Sequence, residues 1–192
     1  KHPEGAHEQG RQKFASYLQS NFSLLQTGSV GWIGQEISPY TQEPLDCKYP
    51  QVDVAKLLSR MQQALPEWRD AGVETRFGIG LELLERWNQN NFLNAYATMH
   101  TAGQAFMMAF AGSGANALDR GMEALAHAYI AQTHIPQQAD FHRYFGKNKS
   151  QTYIHKTYRL IPRGIGLVIC CGTFPTWNAY PSILASLCTG NP

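Results

Sequence analysis

The sequence predicts an α/β protein in which a helical first part is followed by strands and a β-turn-α unit. Apolar residues recur at helical spacing up to about residue 131, whereas the pattern changes after Pro136. A short apolar run, residues 165–169, then leads into a turn that contains Gly172 and Pro175. Because a stable sheet needs roughly three or more strands, we expect this chain to be the N-terminal part of a longer protein.

The first predicted helix covers residues 11–25. Its apolar stripe consists of Phe14, Leu18, Phe22 and Leu25. Residues 28–50 are rich in Gly and Pro, which predicts an irregular segment.

Four more helices are predicted before Pro136. Asp53 is a candidate N-cap for the first of them, and the others cover residues 74–87, 91–110 and 114–131. We expect their stripes to face a core. The stripes are Val54, Leu57, Leu58, Met61, Leu65 and Trp68, then Phe77, Leu81, Leu84 and Trp87, then Leu118, Met122, Leu125 and Tyr129.

Two strands and a helix are predicted in the last part. Residues 151–160 alternate and are rich in β-branched and aromatic residues, which predicts an exposed or edge strand that pairs with another strand. Residues 165–169 predict a buried, parallel strand, and residues 177–189 predict a helix.

Composition argues against several classes of protein. The 16 Lys and Arg residues balance 14 Asp and Glu residues without a basic run, so we expect no nucleic-acid partner. No apolar stretch reaches about 18 residues, so we expect no membrane span. The opening KHPEGAHEQG lacks Met and a signal-peptide pattern, which we interpret as a trimmed start of a cytoplasmic protein.

Titratable residues form no recognisable metal or catalytic motif. The four cysteines contain no CxxC pair, and we expect them to be buried, reduced thiols, with Cys170 and Cys171 on opposite faces of a strand. The seven histidines belong to no ligand set with metal-site spacing. Glu82 and Glu85 predict a solvated helix edge and not an acid–base pair.

The turn after residue 169 has two interpretations from spacing alone. A strand, a tight turn and a helix start can hold a nucleotide phosphate. Gly164 and Gly166 precede the apolar run, however, and only Gly172 follows it, so the usual G-x-G-x-x-G loop is absent. Nucleotide binding and an ordinary βα turn both stay open.

Several phrases of the sequence resemble the aldehyde dehydrogenase superfamily. PRGIGLVICCGTFPTWNAYPSILASLCTGN is similar to that family's P-x-G-V-x-x-x-I-x-P-W-N-F-P, followed by A-x-T-G-N, without a gap. EISPYTQEPL, VDVAKLLSRMQQALPEWRDAGVETR and TYRLIPRG resemble earlier family phrases in the same order. MHTAGQAFMMAFAGSGANALDRGMEALAHAY looks most like the N-type phenylacetic acid degradation proteins of bacteria.

The resemblance implies a division of the chain. Residues 1–150 would be the mainly helical N-terminal part of a modified Rossmann coenzyme domain. Residues 151–163 would be an oligomerisation strand, and residues 164–192 the first, truncated β-turn-α unit.

The resemblance also implies NAD or NADP as the coenzyme, lined by Ile169, Cys170, Cys171, Gly172 and Thr173. In the family an Asn at the position of Thr173 supplies a donor to the oxyanion, while here Cys171, Gly172 and Thr173 replace its Pro-Trp-Asn. Thr173 is therefore a possible oxyanion residue, a turn cap or a coenzyme contact. The nucleophilic Cys and basic Glu of the family would lie beyond residue 192.

The implied activity is oxidation of an aldehyde, or of a CoA-linked semialdehyde, in phenylacetate or other aromatic catabolism. A downstream Cys would form a thiohemiacetal, hydride would pass to the nicotinamide, and the thioester would be hydrolysed. We expect a homo-oligomer, and this chain alone is expected to be inactive. A non-catalytic oligomerisation scaffold, or a lyase or hydrolase on the same fold, are the alternatives.

Overall fold

The computed structural model describes residues 2–22, 24 and 26–192. The α-helices of this part are α1 Ala6–Tyr17, α2 Val54–Asp70, α3 Val73–Gln89, α4 Asn91–Ala102, α5 Phe106–Met108, α6 Asn116–Thr133 and α7 Pro175–Cys188, with a π-helix over Ala109–Ala115. The strands are β1 Ser29–Ile33, β2 Tyr49–Val52, β3 Gln138–Phe145 and β4 Ser150–Thr157.

The helix boundaries confirm some predictions and correct others. Asp53 is the N-cap of α2, since its Oδ1 accepts the N–H of Lys56 at 3.2 Å. The predicted helix over 11–25 is wrong at both ends because α1 covers Ala6–Tyr17, and Leu25 lies outside the described residues. The predicted helix over 91–110 is broken at Gly103, whose φ of 72° ends α4.

The segment predicted as irregular, residues 28–50, contains part of a small sheet. β1 and β2 pair antiparallel, with Trp32 opposite Pro50 and Ile33 opposite Tyr49. Because such short strands carry no long alternating pattern, the Gly and Pro content of the segment concealed them.

The main core lies between α3, α6 and α7. Its buried residues are Val73, Leu84, Leu125, Ala128, Leu184 and Cys188. A Cβ on Gly121 of α6 would lie 2.9 Å from Cδ1 of Leu184, so glycine allows α6 and α7 to approach closely. Packing of these three helices fixes α7, which carries the last part of the chain.

Not every predicted apolar stripe faces this core. Within α2 no residue is buried, and Val54 and Leu58 are 63% and 42% exposed. Leu81 and Met122 are exposed as well. The spacing predicted the helices correctly, but it did not show which stripes another element would cover.

A second cluster joins α1 to α4 and to the loop before β2. Phe14, Leu45 and Cys47 are its buried apolar residues. The ring of His100 stacks on Phe14 at 5.0 Å, and its Nδ1 lies 2.7 Å from Oγ of the buried Ser38. Burial lowers the pKa of His100, which favours the neutral imidazole.

The strand predicted over 151–160 is observed as β4, which ends at Thr157 and so is three residues shorter at that end, and its predicted pairing is confirmed. β3 and β4 form an antiparallel hairpin from Gln138 opposite Thr157 to Phe145 opposite Ser150. Every residue of both strands is exposed. The hairpin therefore projects from the helical body and contributes little to its core.

The predicted buried strand over 165–169 is wrong for this structure. These residues form no strand, and Leu167 and Ile169 are 84% and 83% exposed. A strand needs a neighbour for its N–H and C=O groups, and no described segment pairs with this one. The following helix is confirmed: α7 begins at Pro175, where proline suits the first turn.

Candidate functional site

The candidate site is the turn formed by residues 169–174, where the polypeptide enters α7. Cys170, Cys171, Gly172 and Thr173 are all exposed. The prediction of four buried thiols is therefore wrong for Cys170 and Cys171, because no strand encloses them, although Cys47 and Cys188 are buried. The structure thus presents a continuous run of accessible residues at the position that carries the sequence resemblance.

The thiol of Cys171 is held by the turn and by the first turn of α7. Its Sγ accepts the N–H of Phe174 at 3.2 Å and donates to Oδ1 of Asn178 at 2.9 Å. Oγ1 of Thr173 lies 3.5 Å from the same sulfur. Hydrogen bonds from Thr173 and from the Phe174 N–H lower the pKa of Cys171, since they favour the thiolate.

Thr173 makes no capping bond to α7. The N-cap residue is Phe174, and its N–H is bound by Sγ of Cys171 and not by the hydroxyl of Thr173. The hydroxyl of Thr173 contacts Cys171 Sγ, and the backbone carbonyl oxygen of Thr173 accepts a hydrogen bond from Nε2 of Gln104. The side chain of Thr173 is therefore available at the surface of the turn.

The turn rests on the π-helix Ala109–Ala115. Oγ1 of Thr176 donates to the backbone carbonyl oxygen of Ser113. A Cβ on Gly112 would lie 2.9 Å from Cε1 of Phe174, so the phenyl ring packs directly on the glycine backbone. Sequence reasoning missed these supporting residues, and the run AGSGA was the one signal that two elements approach closely there.

The opposite end of α7 is held by a buried arginine. Arg76 donates from Nε to the C=O of Cys188 at 2.8 Å, and from Nη1 to the C=O groups of Trp68 and Arg69 at 3.2 and 2.8 Å. Nη2 donates to Oε1 of Gln132 at 3.0 Å. Burial lowers the pKa of Arg76. The carbonyl ends of α2 and α7 supply the partial negative charge that its guanidinium needs.

The phrases that carry the resemblance meet in space at this end. Oδ1 of Asn191 accepts the N–H groups of Arg163 and Gly164 at 2.8 and 3.0 Å. Nδ2 of Asn191 donates to Oγ1 of Thr189 at 2.9 Å. The side chain of Asn191 therefore joins the segment before the turn to the end of α7.

Metal binding has no support in the part of the chain that the structure describes, where no three His, Cys, Asp or Glu side chains cluster as ligands would. Glu82 is exposed and accepts a hydrogen bond from Arg86 at 2.7 Å, which confirms the predicted solvated edge. Among the described helices, none combines the length and apolar character that crossing a bilayer requires.

The turn leaves backbone groups and space open to a ligand. The backbone groups of residues 167–170 make no hydrogen bonds within the described residues, so their donors and acceptors are open to ribose hydroxyls or to an amide. A Cβ on Gly172 would meet nothing within 4 Å, so space is open beside the backbone there. Ile169 and Cys170 could therefore bind a ligand through the backbone, and Gly172 leaves space for it.

Comparison with known proteins places this fold. No protein-family model matches the sequence. No curated protein matches it either. Among solved structures, the NAD-dependent aldehyde dehydrogenase of Burkholderia multivorans is 42% identical, with a TM-score of 0.92, and the match covers 98% of this chain and 33% of that one.

Two more distant structures share the fold. A variant of 1-pyrroline-5-carboxylate dehydrogenase from Thermus thermophilus is 16% identical, with a TM-score of 0.71 over 97% of this chain and 35% of that one. An aldehyde dehydrogenase from Physcomitrella patens, solved with succinate, is 12% identical, with a TM-score of 0.62 over 90% of this chain and 36% of that one. This chain spans about a third of each structure, and it has part of the aldehyde dehydrogenase fold.

Proposed function

We propose that this chain is the N-terminal part of an NAD(P)-dependent aldehyde dehydrogenase and that the turn at 169–173 lines its coenzyme and oxyanion region. The observation that carries the proposal is the 42% identity to an NAD-dependent aldehyde dehydrogenase over 98% of this chain. The exposed backbone of the turn supports it, because coenzymes are often held by a few backbone groups.

The coenzyme, when bound, supplies a hydride acceptor. Ile169 and Cys170 would hold it through backbone groups, and Gly172 leaves room for its close approach. Thr173 would turn its single hydroxyl hydrogen from Cys171 Sγ to the substrate oxygen that becomes negative, directly or through one water. Cys171 contacts Thr173 from the same turn, so its thiol would help to orient that hydroxyl.

The substrate would be an aldehyde or a CoA-linked semialdehyde of aromatic catabolism, phenylacetate breakdown above all. Residues 99–129 support this choice by their resemblance to phenylacetic acid degradation proteins. The protein would act in the cytoplasm as a homo-oligomer. The exposed β3–β4 hairpin supports assembly, because a projecting hairpin edge can pair with another subunit.

The test compares this chain with the longer natural protein of which we propose it to be a part. We expect the longer protein to reduce NAD or NADP with phenylacetaldehyde and related aldehydes, and this chain alone to give no turnover, since it would lack the nucleophile. Turnover by the chain alone, abolished by a thiol reagent, would contradict the proposal that the nucleophile lies outside this chain. It would implicate Cys170 or Cys171 instead.

A longer protein that assembles but neither binds coenzyme nor oxidises any aldehyde would contradict the dehydrogenase proposal and support the scaffold. Coenzyme binding by fluorescence titration and mass by light scattering distinguish the two results. A lyase or hydrolase would show itself as product formation without coenzyme reduction.

A further inference from the structure

The side chain of Gln104 hydrogen-bonds both to the π-helix Ala109–Ala115 and to the turn, although Gln104 belongs to neither. Gln104 follows Gly103, which ends α4 with a φ of 72°. Nε2 of Gln104 donates to the C=O of Thr173, while its Oε1 accepts the hydroxyl of Ser113 at 3.5 Å. π-Helices are rare and frequently occur at functional sites, so a link from this one to the candidate turn is informative.

The backbone of Gln104 is itself fixed. The hydroxyl of Tyr40 donates to the C=O of Gln104 at 2.7 Å. Ser113 is fully buried, and its C=O also accepts the hydroxyl of Thr176 in α7. Gln104 therefore reaches the turn from an anchored position.

The hydrogen bond from Gln104 is made to the peptide group between Thr173 and Phe174, whose C=O and N–H both form hydrogen bonds with side chains. The C=O of Thr173 and the N–H of Phe174 belong to one planar peptide and point in opposite directions. Gln104 binds the C=O, and the N–H donates to Cys171 Sγ at 3.2 Å. Fixing the oxygen thus fixes the direction of the N–H that holds the thiol, and each bond polarises the other.

We propose that Gln104 is a positioning residue that orients the 173–174 peptide, and through it the thiol of Cys171 and the hydroxyl of Thr173. The inference rests on the proposed function for its catalytic meaning, since Thr173 is the oxyanion residue of that proposal. The orientation of the peptide, however, is measurable without coenzyme or substrate. Cys171 serves as the reporter, because its thiol is bound by the N–H of the same peptide.

The experiment measures alkylation of Cys171 by iodoacetamide as a function of pH. A Cys170→Ser background leaves Cys171 as the exposed cysteine, since Cys47 and Cys188 are buried. Gln104→Met keeps the length of the side chain and adds no charge, but it removes the donor. Gln63→Met on α2 is the matched control, because Gln63 is exposed and bonds only to Ser59 of its own helix, at 3.5 Å.

We expect Gln104→Met to move the alkylation midpoint of Cys171 to higher pH and to slow the reaction roughly threefold or more near pH 8, because less thiolate is present. Gln63→Met should leave both unchanged. Gln104→Ala gives a second variant should methionine disturb the loop, and circular dichroism establishes that each protein is folded. An unchanged midpoint in a folded Gln104 variant would overturn the proposal.

A coenzyme titration of the longer protein separates this inference from the proposed function. An unchanged Cys171 midpoint in the Gln104 variant, with normal coenzyme binding, contradicts the role of Gln104 alone. A clear midpoint shift in a protein that binds no coenzyme supports the positioning role and contradicts the dehydrogenase proposal.

Discussion

The two ends of α7 differ in burial: the C-terminal end is buried and the N-terminal end is exposed. At the C-terminal end, Arg76 and Gln132 donate to the C=O of Cys188, whose thiol is buried. At the N-terminal end, Cys171 is exposed, and its sulfur accepts the N–H of the N-cap residue Phe174. Burial raises the pKa of Cys188, whereas hydrogen bonds in the turn lower the pKa of Cys171. The C-terminal end of α7 is therefore anchored by hydrogen bonds, while its N-terminal end carries the accessible candidate site. A functional site needs such a rigid support.

Replacing Arg76 should have the largest effect on stability. Arg76→Ala removes four hydrogen bonds and deprives the C=O groups of Trp68 and Arg69 of this donor, while Gln132 still donates to the C=O of Cys188, so we expect the free energy of unfolding to fall by about 3 kcal/mol. Urea denaturation followed by circular dichroism measures the change. Arg86→Ala is the control, since the exposed Arg86–Glu82 pair should contribute less than about 1 kcal/mol. Equal losses in the two variants would remove the contrast between the ends of α7.

The two thiols test the same contrast by reactivity. Under native conditions we expect iodoacetamide to modify Cys171 roughly a hundredfold faster than Cys188, because reaction at Cys188 requires opening of the core. Both alkylation rates should rise with pH because the thiolate reacts, and the midpoint of Cys171, whose pKa is lowered, should lie at lower pH than that of Cys188, whose pKa is raised. Peptide mass spectrometry over time gives both rates. Comparable alkylation rates for Cys171 and Cys188 in the folded protein would contradict the view that one end of α7 is buried and the other accessible.

Replacing Asn191 tests whether its side chain holds the segment at residues 163–164 against the C-terminal end of α7. Asn191→Ala removes the acceptor of the Arg163 and Gly164 N–H groups, so we expect a loss of about 1 kcal/mol in unfolding free energy. Hydrogen exchange at Gly164 should accelerate, while exchange in α3 should not change. Asn116→Ala, at an exposed position of α6, is the matched control. Unaltered exchange at Gly164 would mean that the segment is held by other contacts.

The sequence predicted the elements better than it predicted their contacts. Asp53 as an N-cap, most of the strand predicted over 151–160 and the helix of α7 follow from local patterns, and the structure confirms them. The strand at 165–169 was wrong because strand formation depends on a neighbour. The resemblance to family sequence motifs indicated the turn and the T-G-N segment. In the structure the turn lies directly before α7 and the T-G-N segment directly after it.

Gln104 and Arg76 carried no local signal of their hydrogen-bond partners. Gln104 lies 69 positions before Thr173, and Arg76 lies 112 positions before Cys188. Polar residues at such separations meet only after α3, α6 and α7 have packed, so neither spacing nor propensity reveals the pairing. The same argument applies to α2: its periodicity predicts a helix but does not show which element will pack against it, and none of its residues is fully buried.

Thr173→Val should have the smallest effect on stability and a distinct effect on chemistry. Thr173 is exposed and its hydroxyl contacts only Cys171 Sγ at 3.5 Å, so we expect the unfolding free energy to change by less than about 0.5 kcal/mol. If the hydroxyl donates to the developing oxyanion, the acylation rate of the longer protein should fall by more than about tenfold, or about 1.4 kcal/mol.

Stopped-flow measurement of the first turnover gives that acylation rate, and a titration gives the coenzyme affinity, which should be nearly unchanged in Thr173→Val. Thr176→Val is the control from the first turn of α7: its hydroxyl bonds to Ser113 and faces the π-helix, so its loss affects support but removes no donor to substrate. Equal rates in wild type and Thr173→Val would assign the oxyanion to backbone donors. The open end of α7 would then serve the coenzyme through its backbone, and the departure from the family's Asn would be without consequence for acylation.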